Sequence, residues 1–407
     1  MANSASAILL APAKQQSSAT ALSMGIALWL ALGGATLATA GCGLGHHERM
    51  QIDAYPPAET PKVNMLVATT RARARDPEVM FTGKRANHLS LQQITVSLPP
   101  DDEREPGSVQ WPSMGRADPL RSFVVTKYAP VSSRDLKQWV FTESGAKRKL
   151  LVFVHGFNTT FAEAVYGFAQ IVRDSGAETR PVLFSWPSAG GPLNYLYDVN
   201  SATFSRDDLE FVLTRAVNDP NINEIAVMAH SLGNWLLMET LRQMSIRKGR
   251  IDPKIKNVIM ADPDIDIDVF HKQLDRIGGP RPRTTIFTSR DDKALEISKN
   301  LAGNVVRVGD LNPNLSKYRS RLDRYNIVIV DLTKASAGDA WDHAKFDDDP
   351  LIIRQIGKRL FADRELWTSR PVEGEQVIGG PIAAIASATI SGLRAVGHTE
   401  PWERSRR

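Results

Sequence analysis

The sequence has little cysteine and no large excess of charge of either sign. Its single cysteine, Cys42, among 407 residues excludes an intramolecular disulfide and a cysteine-rich zinc site. The 50 Lys and Arg residues outnumber the 45 Asp and Glu residues by a net charge of only +5, which is too small and too diffuse to indicate a nucleic-acid partner. No group of side chains has metal-ligand spacing, so we expect neither a metal nor another cofactor.

Charged residues are absent from one long segment near the N terminus. Between Lys14 and Glu48 there is no Asp, Glu, Lys or Arg, and residues 21–40 form a hydrophobic run. Its length of about 20 residues fits a transmembrane helix or the core of a signal peptide. The run ends in L-A-T-A-G-C at residues 37–42, which resembles a bacterial lipoprotein box with Cys42 as the lipidation site. A lipoprotein, an uncleaved anchor and a plain signal peptide all predict an exported protein of the cell envelope, at the membrane or in the periplasm.

The rest of the chain has the composition of a globular protein. Hydrophobic residues make up 42% and charged residues 23%, which excludes a disordered or collagen-like chain and allows a sizeable core. We assign residues 1–42 to the leader, 43–62 to a linker, 63–365 to one folded domain and 366–407 to a C-terminal tail. The tail is rich in Gly, Ala and Ser, and we expect it to be flexible.

Hydrophobic runs predict the fold class of this domain. Early runs separated by polar loops predict antiparallel strands. From residue 149 on, runs without polar alternation are separated by segments of helical period, which is typical of a parallel sheet buried on both faces. The predicted fold class is α/β, with a mostly parallel sheet flanked by helices. We predict strands at residues 63–68, 94–98, 122–128, 150–154, 181–184, 224–228, 257–260, 284–287 and 326–330, and helices at 160–174, 206–217, 232–247 and 350–361.

One predicted strand ends directly in a serine turn. Residues 224–233 read E-I-A-V-M-A-H-S-L-G, which places Ser231 between a buried strand and a helix. This order is typical of a nucleophile elbow, in which a sharp turn exposes the serine hydroxyl above the sheet. The small residues Ala229 and Gly233 allow the strand and the helix to approach each other. Ser231 is therefore the predicted nucleophile.

A serine hydroxyl needs a base and an orienting acid, and chain order selects the candidates. After an elbow of this kind the acid comes first and the histidine second. Of the eight histidines, only His343 lies after Ser231 and outside a predicted helix or the tail. Asp292 and Asp291 follow the strand at 284–287, and Asp262 follows the strand at 257–260. We prefer Asp292, then Asp291, then Asp262, because Asp262 before a proline fits a helix N-cap.

The amides of Phe157 and Leu232 are the candidates for an oxyanion hole. Phe157 follows a His-Gly turn after the first strand of the parallel sheet, and Leu232 follows the nucleophile. We interpret His155 as a structural hydrogen-bonding residue. Trp186 and His230 are candidates for a pocket wall, although core packing explains Trp186 equally well.

These features together resemble a bacterial, esterase- or lipase-like branch of unknown function in the α/β-hydrolase superfamily. The resemblance extends from about residue 63 to about residue 361. It implies the α/β-hydrolase fold, with Ser231 as nucleophile, Asp292 as acid and His343 as base. It rests on the motifs L-V-F-V-H-G-F-N at 151–158, F-S-W-P-S-A-G at 184–190, residues 195–205, A-H-S-L-G at 229–233, A-D-P-D-I-D at 261–266 and residues 289–295.

The predicted function is that of an exported or membrane-anchored serine hydrolase. We expect it to cleave a small-molecule or lipid carboxylic ester through an acyl-enzyme. An amidase or peptidase with the same triad is one alternative, and a non-catalytic, membrane-tethered binding protein on a hydrolase fold is another. The loops at residues 101–121 and 191–200 are candidate covers of the pocket.

Mass spectrometry of the mature N terminus tests the leader. We expect the mature chain to begin at a lipid-modified Cys42, and the modified form to disappear in a Cys42→Ala variant. An unmodified chain that begins elsewhere would indicate a plain signal peptide, and a chain that retains residues 1–41 would indicate an uncleaved anchor.

Overall fold

The structure is a computed structural model that describes residues 47–53, 60–112, 117–132, 149–312, 325, 327–333, 335, 343 and 345–360. All of these except His47 belong to one unit that starts at Glu48. The predicted leader with Cys42 and the predicted tail at 366–407 lie outside the described residues. No helix in the described part of the chain combines the length and the hydropathy that a membrane crossing requires.

The described strands form a single nine-stranded sheet. In chain order they are β1 (Lys62–Arg73), β2 (Phe81–Ser97), β3 (Val124–Pro130), β4 (Lys149–Val154), β5 (Arg180–Ser185), β6 (Glu224–His230), β7 (Ile255–Ala261), β8 (Arg283–Thr288) and β9 (Ile327–Asp331). Their order in the sheet is β3-β2-β1-β5-β4-β6-β7-β8-β9. The pairs β1–β2 and β2–β3 are antiparallel, and all the other pairs are parallel.

Helices connect the parallel strands and cover both faces of the sheet. They are α1 (Phe161–Ser175), α2 (Tyr195–Phe204), α3 (Arg206–Asn218), α4 (Leu232–Lys248), α5 (Ile267–Ile277), α6 (Lys293–Leu301), α7 (Lys345–Asp348) and α8 (Pro350–Leu360). Short 3-10 turns lie at Pro192–Asn194 and Val308–Asp310. This architecture confirms the predicted fold class, a mostly parallel sheet flanked by helices with antiparallel strands at the N-terminal edge.

Alternate residues of the central strands face two hydrophobic layers. In β4, Val152 points into the layer that holds the apolar side chains of α3, α4 and α5. Its neighbour Phe153 points into the layer that holds those of α1 and α8. The central strands are therefore buried on both faces, which explains why their sequences lack polar alternation.

The N-terminal boundary of the domain lies earlier than the sequence predicts. Met50, in the predicted linker, is fully buried in the core, and Ile52 pairs with Val125 of β3. Strand β2 is also longer than predicted, because its first half is largely exposed at the edge of the sheet and carries no continuous apolar run. Edge strands of this kind give a weak hydrophobic signal.

The prediction that Asp262 caps a helix is wrong. Asp262 has a left-handed backbone with φ 42°, and α5 begins only at Ile267. The cap is Asp266, whose side chain accepts hydrogen bonds from the amides of Asp268 and Val269. Asp349 accepts the Leu351 amide (2.8 Å) at the start of α8.

Alanine substitutions at two helical glycines test how closely α1 and α8 pack. A Cβ atom on Gly357 of α8 would lie 2.0 Å from the carbonyl oxygen of Ser175, whereas a Cβ on Gly167 of α1 would meet nothing within 4 Å. We expect Gly357→Ala to destabilise the protein by about 1–3 kcal/mol, as overpacking does. Gly167→Ala should stabilise it by about 0.5–1 kcal/mol, because alanine is the better helix former. Unfolding midpoints measure both changes, and equal shifts would contradict the close packing of these helices.

Candidate active site

Ser231 lies in a strained turn between β6 and α4. Its φ and ψ angles are 47° and −122°, a conformation that costs about 1–3 kcal/mol for a residue other than glycine. Backbone hydrogen bonds hold the turn. The Ser231 amide donates to the Ala261 carbonyl (2.9 Å), and the Ser231 carbonyl accepts from the amides of Asn234 (3.0 Å) and Asp264 (3.2 Å). This is the strand-turn-helix geometry expected of a nucleophile elbow.

Glycines on both sides of the turn permit close backbone approach. A Cβ atom on Gly233 would lie 2.4 Å from the His155 carbonyl oxygen, and one on Gly156 would lie 3.0 Å from the Ser231 Cβ. The loop after β4 therefore rests directly against the serine. Phe157 follows Gly156 in that loop, and Leu232 is the first residue of α4, where backbone amides lack acceptors within the helix. Both predicted oxyanion residues thus lie next to Ser231.

Asp292 and His343 form a hydrogen-bonded pair. The Nδ1 atom of His343 lies 2.5 Å from Oδ2 of Asp292, and we assign the proton to the nitrogen. Oδ1 of Asp292 accepts the amide of Leu295 (2.9 Å) and so caps α6. The carboxylate that orients the imidazole is therefore held by a helix N-terminus.

His230 holds His343 beside the turn. The two imidazole rings lie 4.7 Å apart, and His230 Nε2 donates to the His343 carbonyl (3.3 Å). The other neighbour of the His230 ring is Phe346, at 4.6 Å. Since His230 directly precedes Ser231, these contacts bring His343 to the nucleophile side of the sheet. His230 therefore supports the predicted base.

The two neighbouring imidazoles differ in charge. Burial by itself would lower the pKa of His343, but the Asp292 carboxylate and its hydrogen bond raise that pKa to about 9. Burial lowers the pKa of His230 well below its ordinary value, and the charge of His343 lowers it further. Of the pair, only His343 is placed to hold a proton near neutral pH.

The other two candidate acids do not contact His343 through a hydrogen bond described in the structure. Asp291 Oδ1 accepts the ammonium group of the buried Lys345 (2.6 Å) and the hydroxyl of Ser289 (2.6 Å). Asp262 is fully buried, and within the described part of the chain neither of its carboxyl oxygens has a hydrogen-bond partner. Of the three aspartates, the structure brings Asp292 to the imidazole.

A buried arginine supports the loop that carries Phe157. Arg71 of β1 donates to the carbonyls of Thr159 (2.7 Å) and Ser188 (3.1 Å) and to the hydroxyl of Ser185 (2.9 Å). Burial lowers the Arg71 pKa to about 9, although the charge of Asp198 opposes this shift. Arg71 therefore remains charged at neutral pH.

His155 and Trp186 complete the support beneath this loop. The His155 ring stacks on Trp186 (4.9 Å), whose indole N–H donates to the His155 carbonyl (2.8 Å). Burial and the charge of Arg71 lower the pKa of His155 to about 3, so its imidazole stays neutral, in line with a structural role. Trp186 is 0% exposed, which favours core packing over the pocket wall.

Helix α2 is tied to both the loop and the elbow. Asp198 accepts the hydroxyl of Ser188 (2.5 Å) and the Ala189 amide (2.8 Å). The Tyr195 hydroxyl donates to Asp264 Oδ2 (2.9 Å), and the Tyr195 ring packs edge-on against Phe157 (5.5 Å). The segment at 191–200 therefore borders the site.

The start of the loop at 101–121 packs away from the site. Arg104 forms an ion pair with Asp174, and Arg173 forms one with Asp101 (2.5 Å). Both partners lie at the C-terminal end of α1, roughly 20 Å along that helix from its start beside the site. These two contacts hold the start of the loop away from the site, and residues 113–116 lie outside the described residues.

Sequence reasoning missed Arg71, Asp198 and the buried Asp264–Arg307 ion pair (3.2 Å). The motifs at residues 195–205 and 261–266 contain two of these four polar residues, Asp198 and Asp264, and this was the available signal. The described residues contain no group of three or more His, Cys, Asp or Glu side chains placed to hold a metal ion.

Comparisons with known proteins agree with this architecture. A family model described as "Alpha/beta hydrolase of unknown function (DUF900)" matches residues 132–364, more than half of the chain. A comparison with curated proteins finds no match.

Two solved structures are similar to the chain. One is a "putative cell surface hydrolase" from Lactobacillus plantarum WCFS1, with 10% identity, a TM-score of 0.33, and coverage of 56% of this chain and 95% of the other. A study of two fungal esterases from Rhizomucor miehei provides the second, with 14% identity, a TM-score of 0.29, and coverage of 67% and 78% respectively.

NMR titration of the histidines tests the electrostatics of the site. Because Asp292 stabilises the imidazolium, we expect His343 to keep its proton as pH rises and to lose it near pH 9. His230 should remain neutral from pH 6 to pH 9. The variants His343→Gln and His230→Gln assign the two signals. A His343 signal that titrates below pH 6.5 would contradict the described Asp292 contact.

Proposed function

Because the chain belongs to the alpha/beta hydrolase family of unknown function (DUF900), we propose that it is a serine hydrolase that cleaves carboxylic esters through an acyl-enzyme. The family membership confirms the predicted resemblance. The triad, the ester substrate and the cellular location are our proposals.

The observation that carries the proposal is the hydrogen bond between His343 and Asp292, next to the strained turn at Ser231. A serine at a strand-to-helix turn, with a carboxylate-bound imidazole beside it, is the arrangement that activates a hydroxyl for acyl transfer. The direct contact of Gly156 with Ser231 supports the same chemistry, since it brings the Phe157 loop within reach of a developing oxyanion.

In the first half of the proposed reaction, Ser231 Oγ attacks the ester carbonyl carbon while Nε2 of neutral His343 takes the hydroxyl proton. This neutral form gains population as pH rises toward the His343 pKa of about 9. Asp292 stabilises the imidazolium, and the amides of Phe157 and Leu232 stabilise the oxyanion. Collapse of the tetrahedral intermediate breaks the ester C–O bond. His343 then returns its proton to the leaving alcohol, and the acyl group remains on Ser231.

In the second half, water replaces the alcohol. His343 takes a proton from the water as its oxygen attacks the acyl carbonyl, and collapse of the second intermediate gives the proton back to Ser231 Oγ. The products are a carboxylic acid and the free enzyme. The proposed reaction needs no cofactor.

We also propose that the protein acts at the cell envelope. The uncharged segment from residue 15 to residue 47 and the lipoprotein-like end at Cys42 support export. A lipid ester or another small-molecule ester at the membrane is then the proposed substrate class.

A fluorophosphonate probe and a panel of p-nitrophenyl esters test the proposal on the full chain in detergent. We expect the probe to label the protein and Ser231→Ala to abolish both labelling and turnover. His343→Ala should lower kcat/KM by about 10⁴-fold or more, because the nucleophile loses its base. Ser108→Ala, in the loop that packs against α1, is the matched control and should change neither readout.

The same experiment separates the alternatives. Failure of the probe to label the native protein would favour a non-catalytic binding protein. Faster turnover of matched p-nitroanilides than of the esters would favour an amidase or peptidase. Among the esters, the acyl length that gives the highest kcat/KM distinguishes a lipase-like preference from a preference for small esters.

A further inference from the structure

Two features of Asp262 cost folding free energy, and the proposed reaction explains neither of them. Its side chain is fully buried, and neither carboxyl oxygen has a hydrogen-bond partner among the residues that the structure describes. Its backbone is left-handed, with φ 42°. Buried polar groups are nearly always hydrogen-bonded, and left-handed backbone in residues other than glycine clusters at functional sites. The residue also caps no helix, so a structural role at a helix end does not account for it.

The backbone of Asp262 lies between the loops of the proposed nucleophile and acid. It directly follows β7, which pairs with β6 on one side and β8 on the other. The Ala261 carbonyl accepts the Ser231 amide, and the Asp262 amide donates to the Phe287 carbonyl of β8 (3.1 Å). Because β8 leads into Asp292, Asp262 is held at the same carboxyl edge of the sheet as Ser231 and Asp292.

The charged groups around Asp262 belong to three segments. After β8, the carboxylates of Asp292 and Asp291 act on it, and from the segment after β9 the cations of His343 and Lys345 do so. The 3-10 turn packed against its backbone contributes Asp310, which forms an ion pair with Lys299 (3.2 Å). Burial, followed by the negative charge of Asp292, raises the pKa of Asp262 well above its ordinary value. Burial and the nearby Asp292 charge therefore both favour the protonated form of Asp262.

Building on the proposed function, we propose that Asp262 is a reserve positioning residue for His343, which supplies the negative charge beside the imidazolium when Asp292 cannot. Loss of the Asp292 charge removes the repulsion that adds to burial in keeping the proton on Asp262, and it leaves the cations of His343 and Lys345 to favour the Asp262 carboxylate. The Asp262 carboxyl then releases this proton to solvent, and the resulting carboxylate keeps His343 protonatable. Asp262 acts through His343 and does not touch the substrate.

The pKa of His343 in four forms of the full chain tests this proposal without relying on activity. The forms are the wild type, Asp262→Asn, Asp292→Asn and the double variant. Asparagine tolerates a left-handed backbone at 262 and is as good a helix cap as aspartate at 292. In the Asp292→Asn variant we expect the NMR-measured pKa of His343 to stay above 6.5. In the double variant it should fall below 6.5, because burial then outweighs the remaining charge of Asp264.

Kinetics provide a second readout. We expect Asp292→Asn to retain at least about tenfold more kcat/KM than the double variant, which should lose about 10⁴-fold as a triad without its carboxylate does. A purely structural role would instead give the same loss from Asp262→Asn in both backgrounds, with parallel loss of the unfolding midpoint and an unchanged His343 pKa. That result would overturn the proposal.

Two further outcomes are decisive. A His343 pKa below 6.5 in Asp292→Asn alone overturns the proposal even if the double variant does not fold, and a value above 6.5 supports it. Absence of Ser231-dependent turnover in the wild type would refute the proposed hydrolase, whereas the comparison of His343 pKa values would still decide the role of Asp262.

Discussion

The candidate site depends on the strained turn at Ser231. A left-handed backbone at this residue is held by hydrogen bonds from three directions: Ala261 of β7, Asn234 of α4 and Asp264 of the next loop. The bonds with Ala261 and Asp264 form only when β6 and β7 are in register, so the turn depends on the parallel sheet. The same register brings the ends of β4, β6, β7 and β8 to one edge, where the loops of Phe157, Ser231, Asp262 and Asp292 meet.

Buried charge is the second constraint, and it is concentrated around the loop after β4. Arg71 and Asp198 are both buried, and each is surrounded by hydrogen-bond partners from several chain segments. Removing Arg71 or Asp198 would leave the charge of the other residue buried without compensation, which is strongly destabilising. Such a network specifies one arrangement of the loop, since its donors and acceptors are satisfied together or not at all.

Much of the architecture could be predicted because its causes are local. Continuous apolar runs identified the central strands, and the serine turn between a strand and a helix identified the elbow. The motifs that indicated an α/β-hydrolase were confirmed by the family match over residues 132–364. By contrast, α2 was missed because it buries polar residues such as Asp198 and Ser201 rather than an apolar face. The partners of Arg71 and the isolation of Asp262 were also beyond prediction, because both result from contacts between residues far apart in the chain.

The carboxylate of Asp292 serves the helix and the imidazole at the same time. One oxygen closes the first turn of α6, and the other holds His343. A replacement that cannot accept hydrogen bonds would therefore cost both folding free energy and the orientation of the base. Natural selection for a stable fold would then preserve a side chain that caps α6, such as aspartate or asparagine, even in a lineage whose substrate had disappeared. An intact aspartate at this position in a relative is thus weaker evidence of retained activity than an intact Ser231. The strained turn at Ser231 costs folding free energy and gives the fold no stabilisation comparable to the cap at Asp292.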